Sequence, residues 1–287
     1  MRPLIRITLV IGTSFMLAAC ERGIGSAEVE RAMDGGINVI DESNLNDIML
    51  TAADPEEAVS YFRESSQRQP DRVDLKRGLG QSLIRARRST EAVVIWRQVV
   101  DSGEVTDQDR VDYADALIRT GSWVDAEEQL DLVPPTFETY ERYRLEAIIA
   151  DSNQEWDRAD SFYETAVGLT TRPASVLNNW GYSKLTRGDF DAAERLFTEA
   201  ITYDNELFTA KNNLVMARAA RRDYNLPLVQ MTQTERAQLL HTMALAAIRQ
   251  GDVDVGRGLL AEAIDSHPQH FEAAARALRA LETDVRN

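Results

Sequence analysis

The sequence predicts an all-α fold, a superhelical solenoid of antiparallel helix pairs stacked over residues 39–287. Three observations predict it. A small residue returns at Ala58, Ala92, Ala126, Ala159 and Ala193, spaced 34, 34, 33 and 34, and comes back as Gly256. Four positions after each stands a large apolar residue: Phe62, Trp96, Leu130, Tyr163, Phe197 and Leu260. Twelve positions before each come Asn46, Gly80, Ala114, Ala147, Gly181 and Ala244, small at all but the first. Antiparallel helices cross closely only where small side chains leave room, and a large residue one turn on fills the neighbouring hole. One such pair cannot bury its apolar face alone, so pairs stack into a solenoid. No stretch shows the sustained alternation and hairpin turns of strands.

The elements follow in chain order. Arg2 and Arg6 precede an apolar stretch, Ile7 to Leu17, of the length of a signal-peptide h-region and too short for a comfortable membrane span. Leu17-Ala18-Ala19-Cys20 resembles the lipobox of bacterial lipoproteins. The resemblance implies a signal peptide over 1–19 and lipid on Cys20, the mature N-terminus. Two or more acyl chains make such anchoring stable. Glu21 follows rather than the Asp that resembles an inner-membrane retention signal, so outer-membrane sorting is expected. From 20 to 38 the chain is polar and Gly-rich, which suits a flexible tether.

The repeats read as 39–72, 73–106, 107–139, 140–173 and 174–207, then a degenerate unit at 208–236 and a last one at 237–270. Gly121, Gly188 and Gly251 are expected to end first helices. Ser122, Asp189 and Asp252 follow them and are expected to cap second helices. Pro70, Pro173 and Pro268 lie at or beyond the ends of second helices. In the degenerate unit a first helix is expected over Phe208–Arg222. Asn225-Leu226-Pro227 then falls where the small residue belongs, which predicts a loop or a short displaced helix. Residues 271–283 read as an amphipathic capping helix. Ala193 is expected at a helix crossing, and Ala192 nearer the surface. In the window Ala174–Leu207, the residues Trp180-Gly181, Gly188, Ala193, Phe197 and Ala200 fall in the tetratricopeptide-repeat (TPR) pattern. The chain is thus identified as resembling TPR proteins.

Composition narrows the function. With 32 basic and 47 acidic residues the formal charge is −15, which argues against nucleic acid and against a polybasic contact with anionic lipid. One cysteine excludes an internal disulfide and any multi-cysteine metal site. His267 and His270 flank a turn with no third ligand nearby, and His241 reads as a core-edge or groove residue. The acidic runs Asp54-Pro-Glu-Glu57 and Asp125-Ala-Glu-Glu128 open second helices, where they complement the helix dipole. No phosphate loop, nucleophile elbow or paired-carboxylate constellation is present, so no catalytic residue, metal or cofactor is expected and the chain does not read as an enzyme.

One signal stands above these. Asn178-Asn179 and Asn212-Asn213 hold the same two positions of consecutive first helices, 34 residues apart. Asn is a mediocre helix former. The pairs resemble TPR grooves in which stacked asparagines grip an extended peptide, the alternative being tolerated polar residues on a solvated face. Asn179 and Asn213 are the expected grippers, with Tyr182 supplying apolar contact one turn on.

The mature chain resembles TPR lipoproteins of bacterial envelopes, among them the TadD-type lipoproteins of Flp (tight-adherence) pilus assembly. The residues in common are the LAAC lipobox, the tether, NNWGYSKLTRGDFDAAERLF and its continuation NELFTAKNNLVMARAARRD. The resemblance implies an outer-membrane lipoprotein facing the periplasm. It also implies partners among envelope proteins, such as a secretin or pilus-assembly components. Alternatives are a pilotin of another type IV pilus system or an adaptor for peptidoglycan hydrolases. A hydrolase built into the array is a further alternative, but 39–283 leaves no insert longer than the loop 223–235.

Overall fold

The computed structural model describes residues 39–284. The expected signal peptide (1–19), Cys20 and the tether (20–38) lie outside the described residues. Those described fold into helices alone, with no strand among them. The helix α1 (Val39–Thr51) belongs to a first compact unit that ends at Ala53, and a second unit starts at Asp54. The expected first repeat therefore straddles the two.

In the second unit, α2 (Pro55–Arg68) leads into a run of pairs: α3 (Val73–Arg85) with α4 (Ser89–Val100), α5 (Asp107–Arg119) with α6 (Trp123–Asp131), α7 (Tyr140–Ser152) with α8 (Trp156–Gly168), and α9 (Ala174–Thr186) with α10 (Phe190–Tyr203). A lone first helix, α11 (Phe208–Ala220), precedes the last pair, α12 (Gln233–Arg249) with α13 (Val253–Ser266), and the capping helix α14 (Glu272–Asp284). This is a TPR superhelix.

The crossings are built as the phase predicts. Ala58, Ala92, Ala126, Ala159 and Ala193 are all fully buried at 0 % exposure and Gly256 is buried too, and their large partners Phe62, Trp96, Leu130, Tyr163, Phe197 and Leu260 are exposed by 2 % or less. Packing is close where the first helix carries glycine. A Cβ on Gly80 would lie 2.7 Å from the Trp96 ring, and one on Gly181 would lie 2.7 Å from the Phe197 ring. Ala192 does lie nearer the surface than Ala193, 7 % exposed against 0 %, although it is buried as well.

Each first helix from α3 to α12 ends in the same turn. One residue takes a left-handed conformation: Arg87, Gly121, Gln154, Gly188, Arg222 and Gly251, with φ between 60° and 87°. Its N–H reaches the carbonyl three residues back, and the next N–H reaches five back, as in Gly121 to Ile118 and Ser122 to Leu117. That arrangement satisfies two carbonyls left open by the helix end.

The expected caps divide. Asp189 accepts from Ala192 N at 3.2 Å and caps α10. Ser122 and Asp252 precede their helices but make no side-chain cap bond. The Asp252 carboxylate is drawn instead to Arg222 at 2.9 Å and to the Tyr224 hydroxyl.

The sixth unit lacks a second helix, as Pro227 requires. α11 ends at Ala220, two residues short of the expected Arg222. The loop that follows is short because α12 begins at Gln233, not 237. Thr232 accepts from Glu235 N, and the Glu235 side chain accepts from Thr232 N, a reciprocal cap that starts the helix early.

Candidate functional site

The first helices α3, α5, α7, α9, α11 and α12 are tied to one another by side-chain hydrogen bonds. Arg77 on α3 forks onto Asp109 of α5 at 2.7 and 2.9 Å. Gln81 donates to Asp112 at 3.2 Å, and Arg144 of α7 to Asp115 at 2.9 Å. Ser183 of α9 donates to Asp151 of α7 at 2.6 Å. Asn213 of α11 donates to Asn178 of α9 at 3.0 Å, and Thr242 of α12 to Asn212 at 2.8 Å. Each partner lies 29 to 35 residues from the other, about one repeat. The rungs are a polar ladder, and the asparagine pairs are part of it.

That placement sorts the asparagines. Asn213 is 7 % exposed, and its amide is committed to Asn178. Asn212 points to the other side, toward Thr242 and the Met216 sulfur. Asn179 alone makes no side-chain hydrogen bond among the described residues and faces a groove. Of the two expected grippers, Asn179 is open to a ligand and Asn213 is a rung.

The groove runs across α7, α9 and α11 and encloses about 550 Å³. Trp123, Trp156 and Tyr182 give it apolar walls, and Tyr182 is 51 % exposed. Asn178, Asn179, Asn213 and Asp151 give it a polar floor. Trp123 and Trp156 open α6 and α8 at equivalent positions, so the repeat itself delivers both rings to the same face. The sequence reading found the asparagines and Tyr182 but missed the two tryptophans and Asp151. Their signal was the 33-residue spacing of Trp123 and Trp156.

Behind the groove lies a charged hub. Asp160 on α8 accepts from Trp180 Nε1 at 2.7 Å, from Lys184 at 2.7 Å and from Arg187 at 2.6 Å. Burial pushes the Asp160 carboxyl upward, but these donors outweigh it and hold the group below its ordinary value. Arg187 also lies 5.2 Å from the centre of the Trp156 ring. Trp180, which stands where TPR proteins more often carry Leu, stacks on Tyr163 with centroids 6.2 Å apart. Tyr163 donates to Asp151 at 2.8 Å. Burial and the neighbouring Asp151 charge drive the Tyr163 phenol well above its ordinary value, so the proton stays on its oxygen.

The other candidates resolve simply. His267 stacks on Phe271 and His270 pairs with Glu272 at 2.8 Å. No group of three or more potential metal ligands is gathered among the described residues. His241 sits against Phe271 at the core edge, where burial lowers its pKa. Asp54 caps α2 through Glu56 N and Glu57 N. No helix among the described residues is long and apolar enough to cross a membrane.

Ladder and groove together define a TPR scaffold with a concave binding surface, a fold that typically binds other proteins and is non-catalytic. The tetratricopeptide repeat family model matches residues 50–104 and 241–286. None of the curated proteins matches the sequence significantly. Among solved structures, the chain is similar to the APC/C hetero-tetramer Cut9–Hcn1, with TM-score 0.59 and 12 % identity over 89 % of this chain and 51 % of that one. It therefore spans about half the length of that neighbour. A tetratricopeptide repeat protein from Parabacteroides merdae gives TM-score 0.53 and 13 % identity, covering 88 % of this chain and 97 % of that one. The C-terminal part of a TPR repeat-containing protein from Cytophaga hutchinsonii gives TM-score 0.50 and 12 % identity, covering 80 % and 97 %. At such identities the likeness is one of fold.

Proposed function

We propose that this chain is a non-catalytic interaction scaffold, held by lipid on Cys20 to the periplasmic face of an outer membrane. There it assists assembly or localisation of a Flp-type pilus secretion machine. The observation that carries the interaction is the groove between α7, α9 and α11. Its aromatic walls offer apolar contact, and Asn179 offers both a donor and an acceptor to an extended backbone. Support for the anchor is Leu17-Ala18-Ala19-Cys20, and support for the pilus assignment is the resemblance in the fifth repeat and its continuation. The partner expected is an envelope protein, a secretin or another pilus-assembly component.

Two measurements test the proposal. Growth on labelled palmitate labels the wild-type chain and leaves Cys20→Ser unlabelled; equal labelling of both rejects the anchor. Capture from envelope membranes retrieves a secretin or pilus-assembly component with wild type, and loses it with Asn179→Ala combined with Tyr182→Ala. Equal recovery by that variant removes the groove from the interaction.

A further inference from the structure

The groove proposed above to bind a partner also has a charge preference, and the geometry points to one class of occupant. Asp151 lies on the groove floor and makes no ion pair among the described residues, in contrast to Asp109, Asp115 and Asp160. Its two partners are hydroxyls: Ser183 donates to one oxygen at 2.6 Å and Tyr163 to the other at 2.8 Å. Those bonds orient the carboxylate without cancelling its charge. Each carboxylate oxygen accepts two hydrogen bonds, so one acceptor site remains on each. Two adjacent acceptor sites match the fork of a guanidinium, or in part an ammonium.

The surroundings favour the same ligand. The groove lining holds no Lys or Arg. The nearby cations, Lys184 on α9 and Arg187 just after it, are both turned onto Asp160. Of the aromatic walls, Trp156 already has Arg187 5.2 Å from its ring centre, while Trp123 and Tyr182 have no cation over them among the described residues and their faces attract one. The chain as a whole carries −15, which draws basic segments and repels acidic ones. We propose that the groove docks an extended peptide segment of the partner by an Arg or Lys side chain. That side chain enters between the aromatic walls and pairs with Asp151, while Asn179 holds the adjoining backbone. A free C-terminal carboxylate or an acidic segment is rejected, since it would face Asp151 with no cation to receive it.

The test is selection of displayed random heptapeptides on the full-length chain, with the Asn179→Ala, Tyr182→Ala variant as counter-selection. Peptides that need the groove are expected to share an Arg or Lys at one position. In titration calorimetry, replacing that residue by Gln weakens binding to wild type about tenfold. Asp151→Asn then abolishes the difference between the two peptides. The Gln comparison on wild type stands even where Asp151→Asn disturbs packing around Tyr163. Groove-dependent peptides without a fixed cation, or with an acidic residue there, overturn the charge preference and leave the groove reading in place. Selected peptides that bind the double variant as well as wild type overturn both.

Discussion

At the residue scale, what fixes this fold is the exchange of volume between two positions. Gly80 faces Trp96 and Gly181 faces Phe197; of the three units that carry Ala at the first position, those of Ala114 and Ala244 carry Leu at the second, Leu130 and Leu260, while that of Ala147 carries Tyr163. Small matches large. Gly181→Ala therefore sets two effects against each other. Helix propensity favours Ala by roughly 1 kcal/mol. The new Cβ, however, would lie 2.7 Å from the Phe197 ring, which is fully buried and has nowhere to go. Overpacking of this kind costs about 1–3 kcal/mol, and here it wins. The expected outcome in chemical denaturation is a net loss of up to about 2 kcal/mol. Adding Phe197→Leu recovers part of it, giving a favourable coupling in the double-mutant cycle. Gly258→Ala makes the same change in α13 where a Cβ meets nothing within 4 Å, and is expected to stabilise by about 0.5–1 kcal/mol. Equal signs for Gly181→Ala and Gly258→Ala refute the volume argument.

At the scale of the element, the turn after each first helix is more regular than its sequence. All six turns share the left-handed residue and the same two hydrogen bonds, yet only three of those residues are glycine. Arg87, Gln154 and Arg222 carry a Cβ into a conformation that costs an L-residue about 1–2 kcal/mol. Gln154 is exposed and makes no side-chain hydrogen bond among the described residues, so nothing offsets that cost. Gln154→Gly is expected to raise stability by about 0.5–1 kcal/mol, the remainder being consumed by the extra freedom of glycine in the unfolded chain. Arg222→Gly is not expected to help, because Arg222 also pairs with Asp252 and donates to Gln250 O. A thermal melt in which Gln154→Gly is destabilised refutes the account. Here lies the boundary of what the sequence shows. Helix pairs and their phase are legible because a crossing tolerates few residue types. The turns at 87, 154 and 222 are not, because neighbouring hydrogen bonds impose the conformation on residues that do not prefer it. The groove is legible by halves for a related reason. Stacked asparagines mark the inner face, but whether an amide meets its neighbour or a ligand depends on side-chain direction, which a periodicity cannot carry. So Asn213 became a rung and Asn179 stayed open.

At the scale of the array, the described residues from α7 onward hold not one core but a chain of clusters. One cluster joins α7, α8 and α9, a second joins α9, α10 and α11, and a third joins α11 to α14. Only α11 serves the last two: Leu214 and Ala217 face back, and Val215 and Ala219 face forward. In the other units a second helix would reinforce this joint, but Pro227 has removed it. The loop does the work instead, with Tyr224, Leu226 and Met231 packed on the forward cluster and Val229 on the rear one. In an array coupled by nearest neighbours, a thin joint is where cooperativity fails first. Leu226→Ala with Val229→Ala removes both anchors, weakening the coupling by about 2–3 kcal/mol. The four tryptophans, Trp96, Trp123, Trp156 and Trp180, all precede the joint, so fluorescence reads the block before it while circular dichroism reads every helix. The double variant is therefore expected to lose helicity in urea before its fluorescence changes, as α12 to α14 unfold alone. Leu228, between the two anchors and fully exposed, supplies the control, since Leu228→Ala should leave both curves as in wild type. If the double variant shifts both probes together, the joint is no weaker than the rest and the array unfolds as one body.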